Sequence, residues 1–264
     1  SITREMGTHF KSHLLKLPRN RKKNPEYRDK DLHELVEMNI KDTISYTTVN
    51  KHLQYVSSFY EWSVNHGYAT INPFKGMKLK RTVRPRDERD RFTELELKKI
   101  FGRENYIHYT NIGDYIQYTN VEKKKYAFAY YWVPLIAVFS GMRLGEICPL
   151  YLDNVRRVEG HHRKRRWCFD IVEEPNRTDK RLKNQSSRRV VPIHDILIEQ
   201  LGFIEFIELL KKKDPKRERL FQELQYREGN YNKNVSTFFN KRYLPNLGLK
   251  TDKKNFHSFR HTVS

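Results

Sequence analysis

The chain is poor in the residues that staple small proteins and in the runs that cross membranes. Only Cys148 and Cys168 occur among 264 residues. There is no CxxC pair and no Cys/His cluster at metal-ligand spacing, which excludes a disulfide framework and a zinc finger. A reducing compartment follows. No segment approaches the ~18 uninterrupted apolar residues of a membrane span, and the N-terminus lacks an apolar signal-peptide core. An intracellular protein without a membrane partner is expected. Acidic residues are also short, with 32 Asp+Glu facing 52 Lys+Arg and a formal charge of +20. Self-repulsion of that size points to a polyanionic partner. Nucleic acid ranks before a membrane surface, because the basic residues are spread along the chain rather than gathered on one amphipathic helix. What is present suffices to fold: 37% hydrophobic and 13% aromatic content over this length suits two globular domains.

Periodicity predicts a mainly helical chain. In residues 5–17, Met6, Phe10, Leu14 and Leu17 recur at near-helical spacing, and Pro18 with the basic run RNRKKN ends the segment. That run is either a solvated loop or a phosphate-contacting one. DKDLHELVEM predicts a second short helix. Ser45 then caps a long one, in which Val49, Leu53, Val56 and Phe59 or Tyr60 form the inward face until Gly67. Its other face carries Tyr46, Thr47, Asn50, Lys51 and Gln54, residue types suited to phosphates and base edges and equally to an ordinary wet helix face.

Residues 81–91 are rich in arginine, contain Pro85 and lack apolar periodicity, so they are expected to be a basic linker between a domain at 1–80 and one at 92–264. Thr93 and Glu96 form a capping-box signature that opens a helix to about Phe101. The Tyr- and Asn-rich stretch 102–121 reads as an insertion of no legible role, followed by a long helix at about 122–140. Residues 154–158, 167–172 and 189–193 are short and β-rich, which predicts a small three-stranded antiparallel sheet. Helical spacing returns at 195–211, 215–225 and 230–244.

The organising stretch is IAVFSGMRLGEICPL at residues 136–150. An apolar helical run stops at Ser140-Gly141, and the next turn presents Arg143 and Glu146 three residues apart on one face. A guanidinium at the edge of an apolar segment persists there only with a partner, either Glu146 or a bound anion. A helix-end ion pair serving stability alone is the other explanation. His257 and Arg260 repeat the three-residue spacing. Two arginines, a histidine and an exposed lysine in a basic chain point to a phosphate clamp with acid–base groups, requiring neither metal nor cofactor.

The ordered set SGMRLGEICPL, KNQSSRRVVPI and HSFRHT resembles the tyrosine recombinase (phage integrase) family. That family carries a Gly-x-Arg-x-x-Glu turn, a hairpin lysine and a His-x-x-Arg box in this order. ISYTTVNKHLQYVSSFYEWSVNHGYATINPF is similar to its core-binding domain. The resemblance implies a mainly α fold: a helical, SAM-like core-binding domain and a mainly helical catalytic domain with a small three-stranded antiparallel sheet. It implies a site-specific recombinase or integrase of a mobile element, which cleaves and rejoins double-stranded DNA through a 3′-phosphotyrosyl intermediate. The intact enzyme would act as a homotetramer on DNA, in the bacterial cytoplasm at the nucleoid.

By the same resemblance, Arg143 and Arg260 bind the non-bridging oxygens of the scissile phosphate. Lys183, or Lys180 in the same lysine-rich turn, protonates the departing 5′ oxygen. His257 hydrogen-bonds and moves protons at the phosphate, Glu146 orients Arg143 or the neighbouring histidine, His261 supports them, and Gly141 permits a tight chain approach. The family's nucleophilic tyrosine follows the His-x-x-Arg box, whereas Tyr226, Tyr231 and Tyr243 precede it. No residue here is therefore named as nucleophile, and the chain is expected to bind DNA without cutting it, as a monomer. A catalytically degenerate architectural DNA-binding protein is the leading alternative. A type IB topoisomerase or telomere resolvase shares the residue logic, and a helix-turn-helix regulator would leave the ordered Arg, Lys, His and Arg unexplained.

Overall fold

The computed structural model describes residues 2–80, 90–110 (107–110 as backbone only), 126–159, 165–179 and 188–263. The chain divides into two compact units, Ser1–Arg84 and Pro85–Ser264, each with its own hydrophobic core. The linker residues 81–89 lie outside the described residues.

The first unit contains α1 (Arg4–Lys16), α2 (Leu32–Glu37) and α3 (Tyr46–Asn65). The Ser45 side chain accepts from the Thr48 amide at the start of α3, and Gly67 turns the chain beyond its end at φ 77°. Val49 and Leu53 are buried with Leu14, Phe74 and Met77. Tyr60 packs against this core, while Phe59 is 60% exposed. α1 departs from the expected stripe, because Met6 and Phe10 stay exposed and Gly7 and Leu14 face inward. A Cβ on Gly7 would stand 2.9 Å from Met77 Cε and 3.2 Å from the Pro73 carbonyl. α1 meets residues 73–77 closely at Gly7, so Leu14 and Leu17 of the expected stripe pack on this core while Met6 and Phe10 stay at its edge.

The second unit begins with α4 (Glu94–Phe101), where Thr93 and Glu96 form the expected capping box, and α5 (Arg103–Thr110). The stretch 102–121, read as an insertion of no legible role, holds this helix in its first half; residues 111–125 lie outside the described residues. α6 (Ala127–Ser140) is apolar all round and buried along most of its length, as a helix at the centre of a core must be. α7 (Leu144–Ile147) follows one turn later.

Strands β1 (Val155–Glu159), β2 (Arg165–Ile171) and β3 (Arg189–Pro192) form a three-stranded antiparallel sheet with β2 in the middle. Cys168 pairs with Pro192 and Ile171 with Arg189 in the register of the last two strands. The fold is therefore mainly helical with one small sheet.

After the sheet the expected helices shorten. Gly202, at φ 63°, breaks 195–211 into a widened π turn at Ile196–Gln200 and α8 (Phe203–Lys213). The expected helix at 215–225 is absent. Arg217 donates to the carbonyls of Arg219 and Leu220, and Arg219 to those of Gln222 and Leu224. Side chains thus supply the donors that a helix would have drawn from its own backbone. Backbone bonds from Leu152 to Glu218 and from Leu220 to Leu150 sew this loop along residues 150–152. α9 (Lys233–Phe238) runs through a second widened turn into α10 (Leu244–Asn246), and α11 (Ser258–Val263) closes the unit against α6.

Candidate phosphate-binding site

Three arginines from three separate elements meet around one carboxylate. α6 ends at Gly141, which adopts the left-handed conformation at φ 63° and so reverses the chain sharply. Arg143 then occupies the N-cap of α7 with extended backbone. Glu146 reaches back from the third position of that helix, its Oε2 accepting the Arg143 amide at 2.9 Å. Its Oε1 accepts Arg143 Nη1 at 2.9 Å. The sequence spacing thus builds a capping box in which one glutamate holds both the backbone and the guanidinium of the same arginine.

Arg189, the first residue of β3, approaches Glu146 from the sheet. Its Nη2 lies 2.7 Å from Oε2 and its Nη1 3.1 Å from Oε1, a forked pair. Glu146 is 6% exposed, whereas the Arg143 and Arg189 side chains are 37% and 31% exposed. Burial alone would raise the Glu146 pKa. The bonds from Arg189 and from the Arg143 amide and side chain outweigh it and hold the carboxyl below its usual range.

Arg260 comes from α11. Phe259 is fully buried among Phe92, Phe101, Phe239 and Phe256, at ring centroid distances of 5.0 to 5.8 Å. Thr262 Oγ1 accepts the Phe92 amide at 3.0 Å. This aromatic anchor fixes the helix, and Arg260 Nη1 donates to the Gly141 carbonyl at 2.8 Å across 119 residues of sequence. Partial burial and the nearby charges of Arg143 and Arg189 lower the Arg260 pKa, with Glu146 opposing. Three guanidinium charges therefore face one carboxylate, and an anion placed among them would relieve their repulsion.

His257 is exposed at the start of the α11 turn, where its amide donates to Asn255 Oδ1 at 2.9 Å. Its ring packs edge-on against His261, with centroids 5.2 Å apart. Arg143, Glu146 and Arg260 are thus brought together, with His261 on the same short helix as Arg260 and His257 in the turn just before it. Lys183 and Lys180 lie outside the described residues. Arg189 was read only as a strand residue. The available signal was its place on the inward face of β3 with Val191 and Ile193, where an arginine needs a buried partner.

Four tyrosines that precede the His-x-x-Arg box, Tyr151, Tyr226, Tyr231 and Tyr243, make their contacts elsewhere. The Tyr243 hydroxyl donates to the Ile100 carbonyl inside the core. Those of Tyr231 and Tyr151 donate to Asp179, which, with burial as the larger cause, raises the Tyr151 pKa to about 12. Tyr226 packs edge-on against Tyr231.

In the first unit, Tyr46, Thr47, Lys51 and Gln54 share the exposed side of α3. Asn50 does not join them. Its amide bonds both backbone groups of Leu79, at 2.9 and 2.7 Å, and ties that segment to the helix. Among the described residues, no group of three His, Cys, Asp or Glu could hold a metal ion, and no helix is long and apolar enough to cross a membrane.

No protein-family model matches this sequence, and no curated protein matches it. Solved structures do align with it. The Tn1549 transposon integrase in complex with circular intermediate DNA covers 100% of this chain and 71% of its own, at TM-score 0.49 and 13% identity. The same integrase with transposon right end DNA covers 83% of this chain and 66% of its own, at TM-score 0.42 and 16% identity. The XerA recombinase covers 97% of this chain and 82% of its own, at TM-score 0.38 and 14% identity.

Proposed function

We propose that this chain binds double-stranded DNA and carries the phosphate-binding site of a site-specific recombinase or integrase of the tyrosine type. The observation that carries the proposal is the Arg260 bond to the Gly141 carbonyl, which brings the His-x-x-Arg arginine beside the Arg143–Glu146 pair. A phosphodiester carries one negative charge, and the pentacoordinate state reached on attack carries two. A cluster of three guanidiniums and one carboxylate stabilises the second more than the first, which is the requirement for catalysis.

Arg143 and Arg260 take the non-bridging oxygens, and Glu146 orients Arg143. His257 exchanges a proton at the phosphate, with His261 supporting its ring. The hairpin lysine, Lys183 or Lys180, protonates the leaving 5′ oxygen. The attacking hydroxyl belongs to a tyrosine that follows the His-x-x-Arg box, as in the family pattern. The bond exchanged for the phosphodiester is a 3′-phosphotyrosyl ester, so its energy is conserved and no cofactor is needed. A tetramer on two DNA sites follows from strand exchange.

The test is covalent trapping on nicked suicide DNA, using a product of the native gene that reads on through the expected tyrosine. An SDS-resistant protein–DNA band should form, and Arg143→Ala or Arg260→Ala should each slow its formation by about a hundredfold to a thousandfold. No band on a DNA site that the protein demonstrably binds would leave only the architectural DNA-binding alternative.

A further inference from the structure

Glu146 has two arginine partners, and the one on the sheet uses both of its terminal nitrogens for it. Arg189 makes the forked pair at 2.7 and 3.1 Å, while Arg143 meets the carboxylate through Nη1 at 2.9 Å. The carboxylate therefore accepts four N–H groups, counting the Arg143 amide. A carboxylate held this way cannot swing to follow Arg143, so the guanidinium of Arg143 is aimed by a group fixed from the opposite side.

The segment that follows β2 is also pinned, since Asp179 accepts from both Tyr151 and Tyr231. Arg189 pairs with Ile171 at the last rung of the strand register. The position of β3 is thereby transmitted to Glu146 through a rigid fork rather than a flexible contact.

We propose that Arg189 is a positioning residue of the anion site: it does not touch the phosphate, but locks Glu146 so that Arg143 is presented to it. This inference rests on the reading of the arginine cluster as a phosphate site. A lysine at 189 would keep the charge and lose the fork, so Arg189→Lys separates positioning from simple attraction of an anion. The groups facing Glu146 are Arg143 at the N-cap of α7, Arg189 on β3 and, by its charge, Arg260 on α11. Glu146 is the carboxyl of the cluster, and the bonds from Arg189 and Arg143 hold its pKa below the usual carboxylate range. Loss of the fork raises its pKa, and the Arg143 response then fails at a higher pH than in the wild type.

The experiment uses the full 264-residue chain and sulfate as probe, whose charge is constant between about pH 4 and pH 8, a window that spans the carboxylate range. Sulfate binding is followed at the Nε–H resonances of Arg143 and Arg189, assigned by their loss in R143K and R189K. The Arg143 signal should shift on titration and the Arg189 signal should not. In R189K, half-saturation at Arg143 should need about tenfold more sulfate, with the acid limb displaced upward. E146Q should give a similar loss, and R189K should add nothing to it, since residues acting through one partner are not additive.

Should R189K fail to fold, E146Q with Arg189 intact carries the same comparison of the two resonances. A wild-type Arg189 signal that moves with sulfate, or an R189K titration matching the wild type, would overturn the proposal while leaving the phosphate site standing. An Arg143 signal indifferent to sulfate in the wild type would instead bring down the phosphate-site reading, and this inference with it.

Discussion

Glu146 is the residue on which the site's stability and its chemistry meet. It is 6% exposed and holds two arginines, so removing it takes from both the buried carboxylate that they share. Breaking a buried ion pair by deleting one partner costs about 3–5 kcal/mol. Both arginines here remain about a third exposed and water screens them, so Glu146→Ala should cost about 2–3 kcal/mol in urea unfolding at neutral pH. The pH dependence has a definite sign. The Glu146 carboxyl is held below its usual range, despite burial, by the Arg189 and Arg143 bonds. Its contribution is therefore present above the unfolded carboxyl pKa and lost as pH falls through the lower folded value. Glu146→Gln should flatten this part of the acid limb. An acid limb of unchanged steepness in the variant would mean that other carboxylates dominate acid unfolding.

Among the elements, the short helices depend most on their ends. α4 has eight residues, too few to persist by propensity alone. Its Thr93–Glu96 box is reinforced by an ion pair from Glu96 to Lys254, a few residues before α11. Thr93→Ala should lower stability by about 1 kcal/mol in denaturant melts. Ser45, Thr93 and the β1–β2–β3 segments were legible in the sequence because caps and strand runs are written within a few residues of where they act. Arg143 with Glu146, three apart, was legible for the same reason. The segment 215–225 was not, because its carbonyls are satisfied by the Arg217 and Arg219 side chains, and periodicity carries no sign of such bonds. Nor was the role of Arg189, which depends on where β3 lands against α7, a long-range contact that local spacing does not encode. Asn50 shows the converse. Its residue type suits base recognition, but its amide is committed to Leu79.

At the scale of the whole molecule, the excess of 52 Lys+Arg over 32 Asp+Glu makes a definite demand on binding. A partner recognised chiefly through its phosphates displaces condensed counterions, so affinity must fall linearly with salt on logarithmic axes, by about 0.9 per phosphate contacted on duplex DNA. Should this chain cover six or more phosphates, duplex binding would weaken about a thousandfold between roughly 50 and 200 mM salt. Within that total the residues are separable. Lys51, exposed on α3, should contribute about one phosphate, so Lys51→Ala lowers the salt slope by about 1 and weakens all duplex sequences alike. Asn50→Ala should leave the slope unchanged and lower stability instead, because it frees Leu79 from α3. Electrophoretic or anisotropy titrations over a salt series decide the matter. A slope near zero would show that the charge excess serves something other than duplex binding. A steep slope unaffected by Lys51→Ala would move the duplex contact away from the exposed side of α3.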